Sequence, residues 1–339
     1  MPDGYLQALV ARRFPIIYSA LRFVRRVPRL LPSYFGDIKR YALYSSVIFD
    51  DDREKLRSII TARYHNVEKG LSLPSPRPGF GVPNIKELIK HIDRYVSDYG
   101  VDDFLPVPVH VIGAYLEFNR RFDIEDSHIR MSFERFLPLV NRVASHVGVK
   151  MVNRLELLAD VDAGGIDFIT SRSSVRQYSR ERIQENMIES AVRAAQKCPV
   201  VCNRQSGRIR SYRRHADIIK VLEIQGGARG FAEEVDTLFC VTVDLRCFNG
   251  VGERYQGWID GGLFAMNFLL GLHAQGVGSC CLNWSKDAEK DREMHDFLKI
   301  PDYEIIIMFV AAGMLKEMFP VACSSRLPIE QVLSYCECE

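Results

Sequence analysis

Residues 170–183, TSRSSVRQYSRERI, decide how this chain is read. Arg172 and Arg176 bracket Ser173, Ser174 and Val175, and a helix is expected just beyond. Guanidiniums, hydroxyls and the free N–H groups of a helix start are the best receptors for a phosphate monoester, which carries nearly two negative charges. Arg172, Ser173, Ser174 and Arg176, next to the expected helix start, supply all three kinds, with Val175 as a buried pivot. The competing reading is a solvated basic turn.

The sequence after this stretch alternates between helical and extended patterns. Ser179 reads as an N-cap with Glu181 in the first turn. The helix then buries Ile183, Met187, Ile188, Ala191, Val192 and Ala195 until Pro199 stops it. RIRSY at 208–212 reads as a short strand and 215–224 as a helix. DTLFCVTVDL, 236–245, is a buried strand by its length and β-branched content, and YEIIIMFVAAG, 303–313, is another. GWIDGGLFAMNFLLGLHAQG, 257–276, is apolar almost all round and so is expected to be buried on every side. Such alternation implies an α+β layered core.

Three further stretches carry polar chemistry. In KCPVVCNRQSGRIRSY (197–212), Asn203 and Gln205 present amides after Pro199; paired amides can read the donor and acceptor edge of a flat heterocycle. Cys198 and Cys202 lack partners at metal-ligand spacing, so no metal site is expected. QGVGSCCLNW (275–284) is not a dinucleotide fingerprint, because Cys281 stands where the last glycine belongs and a helix precedes it. Its Gly276 and Gly278 are expected to make a tight turn whose N–H groups face a ligand, with Cys280 and Cys281 as packed thiols. ACSSRLPIEQV (322–332) places Arg326 before a Leu-Pro step and means little by itself.

The first 165 residues read as mostly helical. Helical spacing covers 53–69, with Gly70 as C-cap, and recurs at about 84–99, 109–121 and 130–146. LSLPSPRPGFGVPN, 71–84, forbids regular structure and reads as a lid or wrapping loop. The polar set Arg63, His65, Glu68 and Lys69 reads first as a solvated helix face and second as a site. Residues 5–35 hold six arginines among aliphatic and aromatic residues and no acid. That pattern suits peripheral contact with an anionic bilayer, although a helix packed on its own domain explains it more simply.

Bulk properties set the outer bounds. The 339 residues fit two domains, or one with a large extension, and no apolar run approaches membrane-spanning length. A net charge of +2 gives no reason to expect a nucleic-acid partner. All nine cysteines fall after residue 197, an odd number in apolar segments, as expected of reduced thiols in a cytoplasmic protein.

Taken in order, the four stretches resemble the nitroreductase family of FMN-dependent oxidoreductases. The shared elements are R-[RS]-S-x-[RK]-x-[FY] at Arg172–Tyr178, P-S-x-x-N-x-Q-P-W beginning at Pro199, an apolar helix ending in G-[LV]-G-[ST], and a late [KS]-x-R-[LF]-P at Ser324–Pro328. The resemblance covers about residues 166–339 and leaves 1–165 without a role. It implies a mainly antiparallel sheet flanked by helices, and an intertwined homodimer with FMN at the subunit boundary and helix 261–274 in the dimer core. Arg172, Ser173, Ser174, Arg176 and Arg326 would hold the phosphate and ribityl chain. Pro199, Asn203 and Gln205 would border the ring, and backbone N–H groups of Cys281, Leu282 and Asn283 would face its N5 and O4. NAD(P)H would be the co-substrate and a small or conjugated molecule the acceptor, with the chemistry on the flavin and no side chain acting as acid or base. Val200, Ser206 and Gly207 replace the family's serine, proline and tryptophan, and Ser324 its lysine. The ring edge thereby loses a hydroxyl and a packing ring, and the phosphate site one cation. The alternative function is a flavin-binding or sequestering protein whose N-terminal half covers the flavin.

Overall fold

A computed structural model describes residues 31–32, 34–73, 76–140, 148, 165–319, 321 and 328–337. Arg326, Ser324, Pro74 and residues 5–30 of the basic segment lie outside the described residues, as does most of the stretch from 141 to 164.

Two cores build the molecule. The first belongs to helices α2 (Arg53–Leu71), α3 (Val82–Tyr99), α4 (Pro106–Arg120) and α5 (Ser127–Phe136), preceded by α1 (34–44). Leu56, Ile60, Ile85, Leu88, Ile92, Tyr95, Val109 and Ile112 are fully or almost fully buried together. In each helix they recur three or four positions apart, which gathers them on one face. Asp52 caps α2 by accepting from the Glu54 and Lys55 N–H groups at 2.8 and 3.2 Å. Gly70 does not end the helix as its glycine suggested: the cap is Ser72. Gly70 serves close packing instead, since a Cβ there would stand 2.1 Å from the Phe80 ring.

The second core surrounds a four-stranded antiparallel sheet in the order β1-β2-β4-β3, with β1 Gly207–Tyr212, β2 Thr237–Asp244, β3 Val277–Asn283 and β4 Glu304–Met314. Side chains alternate across it with the two-residue period of a strand. Leu238 and Cys240 face the cluster that includes α8 (His215–Gln225) and α10 (Ala288–Leu298). Phe239 and Val241 face α7 (Glu185–Ala195) and α9 (Gln256–His273). The short helix α6 (Gly165–Ser171) leads into the 170–183 stretch. This is the α+β architecture expected, with helices on both faces.

Three local expectations change. Helix α7 starts at Glu185 rather than after Ser179, because Asp236 holds the preceding turn extended: it accepts from the Ile183 N–H at 3.2 Å and the Arg182 Nε at 3.1 Å. Only Gly276 of the glycine pair makes a turn, at φ +72°; Gly278 already lies in strand β3, where a Cβ would meet Leu315 at 2.8 Å and Val175 at 3.0 Å. Helix α9 is not enclosed within one chain. Trp258, Ile259, Leu263 and Met266 are all more than a third exposed.

The N-terminal helices are anchored on the loop after β2. Tyr41 donates its hydroxyl to the Gly250 carbonyl at 2.7 Å, the Ser46 N–H to Phe248 at 2.9 Å, and Ser58 Oγ to the Cys247 carbonyl at 2.9 Å. Among the described residues no helix is long and apolar enough to cross a membrane.

Candidate functional site

The 170–183 stretch is laid against the free edge of β3. Ser174 forms an isolated parallel bridge with Ser279, where the Val175 N–H donates to the Ser279 carbonyl at 2.9 Å. Four residues on, Tyr178 bridges Leu315 and the Ser179 N–H donates to the Met314 carbonyl at 2.8 Å. Val175 is 5% exposed and Tyr178 2%, so these two anchor the stretch. The Tyr178 hydroxyl lies 2.7 Å from the Val175 carbonyl and 3.1 Å from that of Ala311, and burial drives its pKa far upward. Gly313 makes room for the Tyr178 ring, since a Cβ there would sit 2.5 Å from it.

With Val175 and Tyr178 turned inward, Arg172 and Ser173 line a cavity of about 250 Å3 together with Ser171, His273, Gly278 and Ser279. Phe319 and Val321 complete its wall, so the chain leaving β4 returns to this place. Neither Arg172 nor Arg176 has a carboxylate partner among the described residues; Arg176 makes only a 3.5 Å bond to the Ser174 carbonyl. Burial raises the Cys280 thiol, and the positive fields of Arg176 and then Arg172 oppose that rise. Cys280 is packed as expected, but Cys281 is exposed.

His273 belongs to this cavity and was missed from the sequence. Its Nε2 is 2.8 Å from Ser171 Oγ, and its ring stacks on Phe168 at 5.2 Å. Desolvation, then the Arg172 charge, pulls its pKa down, so the ring is neutral at pH 7. Only its place at the end of an apolar helix hinted at it.

The amide turn lies at the opposite edge of the sheet. Pro199, Asn203 and Gln205 are exposed just ahead of β1, with Arg204 and Ser206 turned inward. Cys202, Asn203 and Gln205 have φ of 49°, 53° and 50°, three left-handed non-glycine residues within four positions. Each such residue costs on the order of 1 kcal/mol, so the surroundings must hold them there. Arg204 does this. Its side chain is 1% exposed and reaches Glu253 through NH1 at 3.0 Å and NH2 at 2.5 Å, while Nε donates to the Val201 carbonyl at 3.2 Å. Asp260 accepts from the Val201 N–H at 3.2 Å. Arg204, Glu253 and Asp260 were not legible beforehand, because no spacing rule links residue 204 to 253.

Two departures from the family pattern now have physical consequences. Gly207 stands against Phe264, whose ring would be 2.6 Å from a Cβ, so no larger residue fits there without moving α9. Ser206 Oγ is buried without a partner among the described residues. On the other edge, Cys281, Leu282 and Asn283 lie on β3 beside the arginine turn, where no further strand pairs beyond Ser279. Adjacent strands are spaced about 4.8 Å apart, so β1 and β3 lie roughly 14 Å apart, and the arginine turn, paired outside β3, lies one strand spacing further from the amide turn.

The class this defines is an α+β domain with an unpaired double-arginine turn on one sheet edge and a strained amide turn on the other. Residues 169–224 and 209–314 match the nitroreductase family model. Over those residues the chain is similar to that family, and the helical N-terminal half lies outside the match. Similar solved structures include NfrA2 of B. megaterium, at 18% identity and TM-score 0.46, covering 52% of this chain and 75% of that one. An FMN-dependent nitroreductase from Clostridium difficile R20291 is 18% identical at TM-score 0.43, covering 51% and 99%. The hypothetical oxidoreductase YcnD from Bacillus subtilis is 19% identical at TM-score 0.44, covering 51% and 74%. No curated protein matches the chain in sequence.

Proposed function

We propose that this protein is an FMN-dependent oxidoreductase that takes hydride from NAD(P)H and delivers it to a second, small or conjugated acceptor. The observation that carries this reading is Arg172, lining a cavity on the β3 edge beside Ser173, with Arg176 four positions on and neither guanidinium paired with a carboxylate among the described residues. That donor set fits a phosphate monoester: two positive charges offset the dianion, and the hydroxyls take up its remaining oxygens. Arg326 would add a third cation.

FMN, when bound, supplies the hydride-accepting and hydride-returning ring. The protein's part is binding and orientation. Arg172, Arg176, Ser173 and Ser174 would hold the phosphate and ribityl end. Backbone N–H groups of Cys281, Leu282 and Asn283 would stabilise negative charge on the ring. Pro199, Asn203 and Gln205 would border the ring edge, held by the Arg204–Glu253 pair. Because the two turns occupy opposite edges within one chain, the complete site calls for two chains, each giving its arginine turn to one site and its amide turn to the other. The exposed stripe Ile259, Leu263 and Met266, with Trp258 beside it, supports such a homodimer: four large apolar side chains on one helix are poorly suited to water.

The alternative is a flavin-sequestering protein. It draws support from α2, which packs against the turn at 201–203 and so sits beside the amide edge. Anaerobic addition of NADH or NADPH to the FMN-loaded protein separates the two. Rapid bleaching of the flavin is the expected result; a colour that persists for many minutes would favour sequestration. A protein that binds no FMN would remove both readings.

A further inference from the structure

A second polar cavity lies where the N-terminal helices meet the loop after β2, and neither sheet-edge turn lines it. It measures about 420 Å3 and is lined by Ser46, Arg63, Asn66, Asn84, His91 and Asn249, with Asp50 at its rim. Ser46 Oγ and Arg63 Nε are both buried with no hydrogen-bond partner among the described residues, and both residues line this one cavity. Native structures leave few polar atoms in that state, and a concentration of two at one cavity points to a missing ligand or solvent.

The charge balance selects the ligand. Arg63 has no carboxylate partner among the described residues; its NH1 makes only a long bond, 3.4 Å, to Asn84 Oδ1. Asp50 is already occupied, accepting from Arg94 NH1 at 2.8 Å. Glu87, whose carboxyl is lowered first by Lys90 and more weakly by Arg63, accepts from Lys90 Nζ at 2.5 Å. His91 donates Nδ1 to the Glu87 carbonyl at 2.6 Å. The one uncompensated charge at the cavity is therefore the guanidinium.

Its surroundings are neutral amides and a hydroxyl. Asn84 donates Nδ2 to the Arg63 carbonyl at 3.0 Å, which fixes that position on α2. The Asn249 amide lies 3.3 Å from Ser58 Oγ, whose proton goes to the Cys247 carbonyl. The wall at 46–50 is also fixed. Lys55, 4% exposed, donates to the Leu43 and Phe49 carbonyls, each at 3.1 Å. A fixed guanidinium with its Nε unsatisfied, flanked by amides and a hydroxyl, matches the forked geometry of an oxyanion.

We propose that this cavity binds a polar small molecule through a carboxylate or phosphate group held by Arg63, with Ser46, Asn66 and Asn249 bonding to the rest of it. The volume lies within the usual range for small-molecule sites. The site does not depend on the flavin reading, because none of its lining residues belongs to either sheet-edge turn.

The test uses the full-length chain carrying Arg172→Gln and Arg176→Gln, so that the sheet-edge arginines do not contribute. Acetate binding is followed by proton saturation transfer and inorganic phosphate binding by phosphorus line broadening. At least one probe is expected to bind, and which one identifies the group as carboxylate or phosphate. Arg63→Gln should weaken that binding roughly tenfold or more, the size of a lost charge-assisted contact, and Arg63→Lys should restore part of it. If Arg63→Gln alters the circular-dichroism spectrum, Asn66→Leu, at an exposed position with no bond to lose, takes its place by narrowing the cavity. Binding of neither probe, or binding equal to the parent in every folded variant, would overturn the proposal.

Discussion

The two edges of the sheet use the same residue for opposite purposes. At the β1 edge every arginine meets a carboxylate of its own chain: Arg204 with Glu253, Arg208 with Asp244 and Arg210 with Glu304. At the β3 edge Arg172 and Arg176 meet none among the described residues. A guanidinium already neutralised inside the chain braces structure; one left unpaired is available to an outside anion. The difference is set by partners 36 to 94 positions away, so it appears only on folding.

Breaking the brace should have the largest effect. Glu253→Gln leaves Arg204, with a side chain 1% exposed, without its counter-charge, and should destabilise the protein by about 3 kcal/mol in a denaturant titration. An unchanged midpoint would show that the pair does not hold the strained turn. Next in size, Leu263→Glu puts a charge into the exposed stripe of α9. It should convert a dimer to a monomer on size-exclusion chromatography while leaving the far-ultraviolet spectrum intact. If the native chain runs as a monomer, the two edges do not share a site.

Arg172→Gln should do the reverse of Glu253→Gln. FMN affinity should fall by roughly 10- to 100-fold, while stability changes by less than about 0.5 kcal/mol, since the guanidinium has no carboxylate partner among the described residues. A large loss of stability would place Arg172 among the bracing arginines.

The smallest effect is a pH dependence. Burial alone would raise the Glu304 carboxyl, but its bonds to Arg210 and Thr242 win and lower it below the ordinary glutamate range. The folded state therefore gains stability above the unfolded carboxyl's pKa and loses it as pH falls through that value and then the lower folded one. Melting temperature should drop below about pH 4.5 and fall less steeply in Glu304→Gln, which lacks the titrating group.

Much of the sheet domain was legible because its signals are local. Strands β2 and β4 follow from runs of β-branched residues, and helices α8 and α9 from their apolar content. Strand β3 was not legible. Its sequence VGSCCLN lacks β-branched content after Val277, and only pairing with β4 and the stacking of Val175 on Gly278 make it extended. The start of α7 failed for a similar reason: Ser179 has the chemistry of a cap, but Asp236, 53 positions from Ile183, decides the backbone there. Of the candidate site, the double-arginine turn could be seen in advance, since its residues are contiguous. The brace on the amide turn joins residues 49 positions apart, and the cavity at Arg63 takes Asn249 from the other half of the chain; no local pattern encodes either.

The central claim is that unpaired guanidiniums on the β3 edge grip the phosphate of FMN. Fluorescence titration of the full-length chain with FMN and with riboflavin, which differ only in that phosphate, tests it most directly. FMN should bind roughly 10- to 100-fold more tightly, with the difference collapsing in Arg172→Gln/Arg176→Gln. Equal affinity for the two flavins, or no binding of either, would contradict it.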